Sequence, residues 1–199
     1  MYLFGASGHG KVVAEIIESL NLCIDGFIDT DLDKISLLGY RVFHEYPDGP
    51  LEVVIAIGNN EVRKRIANQY SCIFPKLISN SANLSHRSVL GKGTVVMAGA
   101  TINVDVNIGQ HCIINTNASV DHDCIIEDFV HLSPNVALAG NVFVGEGTHV
   151  GIGACVIQGV KIGRWCTIGA GAVIIRDIPD GCTVVGNPGK IIRKIEHKL

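Results

Sequence analysis

The sequence predicts a small parallel α/β unit at the N-terminus, followed by a prism of parallel β-strands and a short C-terminal tail. Three observations carry that expectation. A glycine-rich turn, Gly5-Ala-Ser-Gly8-His9-Gly10, joins an apolar strand to a helical pattern. An aliphatic residue recurs at every sixth position from Leu84 to Ile174. The composition fits both, with 23 glycines, 47% hydrophobic residues and only 6% aromatics in 199 residues, as tight turns between short aliphatic strands require.

Within residues 1–77, Tyr2-Leu3-Phe4 reads as the first strand and Lys11 to Leu20 as a helix. Ile24 to Asp29 is a second strand, Val53 to Ile57 a third, and Asn59 to Tyr70 a second helix. Strands alternating with helices imply a parallel sheet, here in a small Rossmann-like unit. The glycine turn at a helix N-terminus offers N–H groups and the positive end of the helix dipole to a phosphate. Asp29 ends the next strand about twenty residues on, where a dinucleotide fold places its ribose contact. The loop lacks the full GxGxxG spacing, so a ligand-free βα turn stands as the alternative. A free-standing NAD dehydrogenase is disfavoured, because the unit is short and no second half-fold follows.

Residues 78–178 follow a period of six. Stepping from Leu84, all sixteen residues to Ile174 are Leu, Ile or Val, with no insertion. Against a 47% hydrophobic background, that run arises by chance roughly once in 10⁵ trials. Four residues after each aliphatic lies a small or β-branched residue, as at Ala100, Cys112, Ala118, Cys124 and Cys166. Three residues after it, twelve of sixteen positions are Gly, Asn or Asp, which tolerate left-handed backbone. A helix demands a period of 3.6 and a flat sheet a period of 2. A period of six requires stacked coils, each covering the apolar edge of the last. The tail, 179–199, carries Val184-Val185-Gly186-Asn187-Pro188-Gly189-Lys190 and then Ile191-Ile192-Arg193-Lys194. Its positive balance reads either as a solvated cap on the last coil or as a phosphate contact.

Several function classes fall away. A net charge of −3 and an isoelectric point near 6.2 argue against nucleic-acid binding. No apolar run reaches the length of a membrane span. The chain opens into a strand without a basic leader, so a cytoplasmic location is expected rather than secretion. The seven cysteines form no CxxC pair and read as reduced, mostly buried thiols, with no metal spacing.

The densest polar cluster runs from Asn115 through Asp121-His122-Asp123 to His131 and Ser133. The hexad count puts His122 at a turn, where its ring can leave the core. Gly140 lies eighteen residues on, one full coil, so its backbone should sit about 4.8 Å from that of His122. His131 and His149 are also eighteen apart and are expected to stack on another edge. Asp123 occupies the turn phase in which Asp and Asn recur for backbone reasons, so it has a structural reading as well as a chemical one.

These hexads resemble the hexapeptide-repeat acyltransferases, whose fold is a left-handed parallel β-helix with three hexads per coil. Residues 78–178 would make five to six coils. The run from Ile113 to His131, the Ala139-Gly140-Asn141 that follows, the GASGHG loop and Ala56-Ile57-Gly58-Asn59-Asn60 before Arg63 narrow the match. Together they are similar to the sialic-acid O-acetyltransferases and UDP-4-amino-sugar N-acetyltransferases, over nearly the whole chain. The resemblance implies that His122 is the general base, with Asp123 as its acidic neighbour, a position often filled by Glu in the amino-sugar enzymes. It implies that Asn115 and His131 line the acceptor site, with the nucleotide of a sugar nucleotide held by Gly8, His9, Gly10, Asp29, Gly58 and Asn59. It places acetyl-CoA, the co-substrate, against Gly140, Gly159, Lys190 and Arg193, and it implies a homotrimer with sites between neighbours.

The chemistry is consistent with those roles. An amine or hydroxyl attacking a thioester needs a base with a pKa near 7, which histidine supplies. The tetrahedral oxyanion needs a donor, which the Gly140 N–H can supply. Cys124 points inward by phase, which disfavours an acyl-cysteine. The expected reaction is N-acetylation of a UDP-linked 4-amino-4,6-dideoxy sugar. Sugar O-acetylation and a non-catalytic repeat scaffold are the rival readings.

Overall fold

The computed structural model describes residues 1–47, 49 and 51–194, so Glu196 and Lys198 of the basic tail lie outside the described residues. The N-terminal unit contains β1 (Tyr2–Phe4), α1 (Gly8–Ser19), β2 (Gly26–Ile28), β3 (Ser36–Leu37), β4 (Tyr40–Phe43), β5 (Val53–Ile55) and α2 (Asn60–Gln69). Its sheet has the order β3-β4-β2-β1-β5. The β1, β2, β4 and β5 pairings are parallel, and β3 joins β4 antiparallel. The β3–β4 hairpin is absent from the sequence expectation. Its strands are short and carry no sustained alternation, so nothing but tertiary pairing marks them. Helix α1 starts at Gly8 rather than Lys11. A side chain at Gly10 would collide with the Gly5 carbonyl, so glycine there is what lets the loop wind directly into the first turn.

The second unit is a β-solenoid with three flat faces. Its first face stacks eight strands from Leu77–Ile78 through Ile113–Ile114, His131–Leu132 and His149–Val150 to Cys182–Val185 and Lys190–Lys194. The second face runs from Asn83–Leu84 to Val173–Ile174 and the third from Val89–Leu90 to Lys161–Ile162. Parallel pairing keeps an offset of eighteen residues, as in Ile113↔His131 and Ser119↔Ala137, up to the last coil, where Thr167↔Thr183 and Ile162↔Ile178 shorten it to sixteen. Among the described residues of the solenoid, only the terminal Cys182–Val185 and Lys190–Lys194 hairpin is antiparallel.

Fifteen of the sixteen hexad aliphatics are buried and Leu84, at the open end, is half-buried. Burying each removes roughly 1.5–3 kcal/mol of apolar hydration cost. Two hydroxyls in the small inward phase are satisfied between coils. Thr94 Oγ1 donates to Gly109 O at 2.8 Å and Thr148 Oγ1 to Gly163 O at 2.7 Å. Cys112, Cys124 and Cys166 are buried in the same phase. Burial pushes the Cys112 thiol up to about 12, so it stays protonated.

The left-handed turn positions hold one surprise. Besides Gly, Asn and Asp, they include His111, Phe129 and Trp165, at φ of 53°, 58° and 53°. All three lie on the corner between the third and first faces, facing α2. His111 and Phe129 stack at 5.3 Å, and Lys64 of α2 lies over Phe129 and Trp165. Contact with the other unit sustains a backbone conformation that bulky residues avoid. The two units also share a hydrophobic core: Leu3, Val13, Ile17 and Phe27 pack with Leu77, Val95, Met97 and Ile113 of the first face.

Candidate active site

Two chemistry-bearing regions lie on opposite sides of the solenoid. The first is the corner between the second and third faces. His122 N–H donates to Asp121 Oδ1 at 2.8 Å, and Asn103 Nδ2 donates to the same oxygen at 2.8 Å. His122 Nδ1 lies 2.7 Å from Asp123 Oδ2. Asp123 reaches it from a left-handed φ of 59°, a conformation that Asp adopts readily. The carboxylate can only accept, so in neutral His122 the proton sits on Nδ1 and the lone pair on Nε2. The hydrogen bond to Asp123, then the charge of Asp121, holds the His122 pKa above its ordinary 6.5.

The Nε2 edge of the ring covers Gly140. A Cβ at that position would lie 2.6 Å from both His122 Cε1 and Nε2, so glycine is what admits the ring. Ala139 N–H is taken by Val156 O and Asn141 N–H by His122 O. Among the described residues the Gly140 N–H donates to no acceptor. Gly159, one coil further, donates to Gly140 O at 3.0 Å, and space is open where its Cβ would be. Neither Gly140 nor Gly159 puts a side chain on this corner beside the imidazole.

The second region is the first face beneath the N-terminal unit. His131 Nδ1 donates to Gly58 O at 3.2 Å, which leaves Nε2 to accept from Asn115 Nδ2 at 3.2 Å. His131 stacks on His149 at 4.8 Å, and Ser133 Oγ lies 2.8 Å from His149 Nε2. The pair sits on a flat face in paired strands, not on an edge as expected. The outward phase of a hexad points into the face, and only the turn residues reach a corner. Burial first, then the charges of His149 and Arg63, drives the His131 pKa down to about 3. His9 faces the same region, 6.3 Å from His131, and burial lowers its pKa to about 4. Both rings are therefore neutral at physiological pH. His131 is a hydrogen-bonding group rather than a base.

Arg63, absent from the sequence candidates, holds this region together. It is 1% exposed, and among the described residues it forms no salt bridge with a carboxylate. Its guanidinium donates to Ile57 O, Gly58 O and Asn60 Oδ1 in its own unit, and to His111 O and Phe129 O in the solenoid. The signal for it was its place on the inward stripe of α2 with Asn60 and Ile66. A cavity of about 440 Å³ opens between the N-terminus of α2, at Gly58, Asn59 and Asn60, and His149, Trp165 and Thr167 of the solenoid. Asn59 caps α2, accepting the Val62 N–H at 2.9 Å.

A second cleft, of about 220 Å³, lies at the carboxyl ends of β1, β2 and β5, between Asp29 and Tyr70. Strand order reverses about β1, and ligands of open α/β sheets bind in such a crevice. Asp29 is already engaged. Its carboxylate accepts the N–H groups of Ala6 and Asp31 and pairs with Lys34 at 3.0 Å. Burial raises its pKa, but those N–H groups and Lys34 outweigh it and keep the group ionised. It thus fixes the glycine loop while still lining the cleft. Gly8 borders open space, with no atom near the position of a Cβ. Lys190 and Arg193 are exposed on the terminal hairpin of the first face. The sequence candidates therefore fall at three places: the His122 corner, the first face and the cleft of the N-terminal sheet.

Comparison with known proteins bears on this arrangement. Residues 1–70 match the PglD N-terminal domain, and residues 141–176 match the bacterial transferase hexapeptide (six repeats). A structure of a histidine mutant of perosamine N-acetyltransferase from Caulobacter crescentus, in complex with CoA and GDP-perosamine, is 37% identical. It covers 97% of this chain and 96% of its own, with a TM-score of 0.91. The acetyltransferase domain of PglB from Neisseria gonorrhoeae is 39% identical over 96% of this chain and 98% of its own, with a TM-score of 0.90. The chain belongs to the hexapeptide-repeat sugar acetyltransferases. Within that family, UDP-N-acetylbacillosamine N-acetyltransferase of Bacillus subtilis is 42% identical over 115 residues. That match spans 48% of this chain and 50% of the relative, so the chain covers about half the length of this curated acetyltransferase. No helix among the described residues is long and apolar enough to cross a membrane.

Proposed function

We propose that this acetyltransferase transfers the acetyl group of acetyl-CoA to the 4-amino group of a UDP-linked 4-amino-4,6-dideoxy sugar. The observation that carries the reading is His122, with Nδ1 on Asp123 and Nε2 over Gly140. The acceptor amine, as the free base, attacks the thioester carbonyl directly. His122 Nε2 takes the proton that the amine loses, and the Gly140 N–H stabilises the oxyanion. Collapse of the tetrahedral intermediate breaks the C–S bond, and the imidazolium returns the proton to the CoA thiolate. Asp123 fixes the tautomer and favours the imidazolium that forms. No side chain becomes acylated.

The nucleotide enters the cleft beside Asp29, with its pyrophosphate towards the first turn of α1. Asn115, His131, Gly58 and Asn59 hold the sugar. These groups lie on the face opposite the His122 corner of the same solenoid, and so do Lys190 and Arg193. A complete site therefore needs two copies, and a homotrimer supplies three equivalent ones. The corner at Gly140 and Gly159 takes the pantetheine arm, and the tail cations take CoA phosphates.

The test is acetyl-CoA consumption measured with UDP-4-amino sugars, GDP-4-amino sugars and sialic acids as acceptors. The reading expects the highest kcat/KM with a UDP-4-amino sugar. Faster turnover of a sialic acid would make the protein an O-acetyltransferase. Absence of acetyl-CoA binding at millimolar ligand would leave it a scaffold.

A further inference from the structure

We propose that Arg65 and Gln69 of α2 read the nucleobase and select uracil, an inference that rests on a nucleotide occupying the cleft of the N-terminal sheet. The two side chains are four residues apart, on one face of α2, and both line the 220 Å³ cleft. Between and around them the lining is apolar or aromatic, with Phe4, Ile57, Ile66 and Tyr70. Tyr70 is held rigid by Tyr46, stacked at 4.6 Å, and by Phe4 at 5.5 Å. Asp29 and Thr30 supply the polar lining from β2, and Arg65 and Gln69 that from α2; such a cleft suits a planar ring presenting its hydrogen-bonding edge to α2.

The donor and acceptor order then discriminates. The edge of uracil reads acceptor, donor, acceptor across O4, N3–H and O2. The Gln69 amide can donate to O4 and accept from N3–H, as amides do with base edges. The third position, O2, requires a donor, and Arg65 has only donors. Guanine offers acceptor, donor, donor across O6, N1–H and its amino group. Arg65 would there face another donor, leaving a desolvated polar group unpaired. Cytosine reverses the first two positions.

Equilibrium binding of UDP, dTDP, CDP and GDP to the full chain tests this, in wild type, Gln69→Ala and Arg65→Glu. Both positions are exposed, so the fold should tolerate the changes. Wild type should bind UDP and dTDP at least about 10-fold more tightly than GDP and CDP. Gln69→Ala should weaken UDP about 10-fold, and Arg65→Glu, by placing an acceptor opposite the guanine amino group, should shift the ratio towards GDP. Nucleotide binding with unchanged ratios in both variants overturns base reading but leaves the acetyltransferase reading intact. No nucleotide binding at millimolar concentration overturns base reading and the nucleotide-linked acceptor together.

Discussion

The imidazole of His122 lies over the α-carbon of Gly140, one coil away, so closely that a methyl group there would come within 2.6 Å of Nε2. A solenoid with an exact eighteen-residue offset makes this contact without any long-range search, because adjacent coils are locked by parallel ladders. The proposed base and oxyanion donor are thereby carried on neighbouring rungs of the scaffold, which is what preorganisation requires.

Gly140→Ala therefore tests position without testing charge. The added methyl should push the ring aside and lower kcat about 10- to 10²-fold, with little change in melting temperature, since the displaced ring is exposed and can turn into solvent. Wild-type kcat in this variant would show that the ring has no fixed place in catalysis.

Asp123→Asn removes the larger of the two carboxylates that raise the His122 pKa, leaving Asp121 in place. A base works when deprotonated, so wild-type kcat/KM should rise with pH through a value above 6.5. In the variant the acid limb should move to lower pH, towards the ordinary histidine value, while the plateau falls because the tautomer is no longer fixed. An unmoved limb would mean that Asp123 serves only the turn.

Acid should loosen the contact between the two units. Burial is the main cause that holds His9, His111 and His131 at about 4, about 4 and about 3. In the unfolded chain each titrates near 6.5. Between these values the unfolded state binds more protons, so stability is present above pH 6.5 and is lost as pH falls towards 4. Thermal unfolding followed across that window should show a falling midpoint. A flat midpoint would contradict the neutral assignment of these rings.

The proposed sharing of the site between subunits predicts complementation. His122→Ala and His131→Ala should each be poorly active alone, whereas co-expressed chains should regain turnover in mixed assemblies. With random mixing, about a quarter of interfaces carry both intact groups. No recovery in mixtures shown to exchange subunits would place the whole site within one chain.

The solenoid was legible because one residue type fills one geometric slot sixteen times, and the His122–Gly140 contact followed from the same arithmetic. The period also explains what was missed. His111, Phe129 and Trp165 interrupt the Gly, Asn and Asp series on a single corner, and that corner is where α2 docks. Read as a pattern, those exceptions mark an interface. Arg63 was hidden because its five partners are mostly carbonyls brought together by tertiary structure. A site shared between subunits came only from the family resemblance, since eighteen-residue stacking relates residues along a face or corner and does not bring opposite sides together.

The most direct test is His122→Ala, assayed by acetyl-CoA consumption with the best acceptor and by calorimetry with acetyl-CoA alone. Loss of a general base should lower kcat by roughly 10²–10⁴, while acetyl-CoA affinity stays nearly unchanged because the proposed contacts are Gly140, Gly159 and the tail. Near wild-type turnover in His122→Ala would contradict the assignment of the base and, with it, the proposed mechanism.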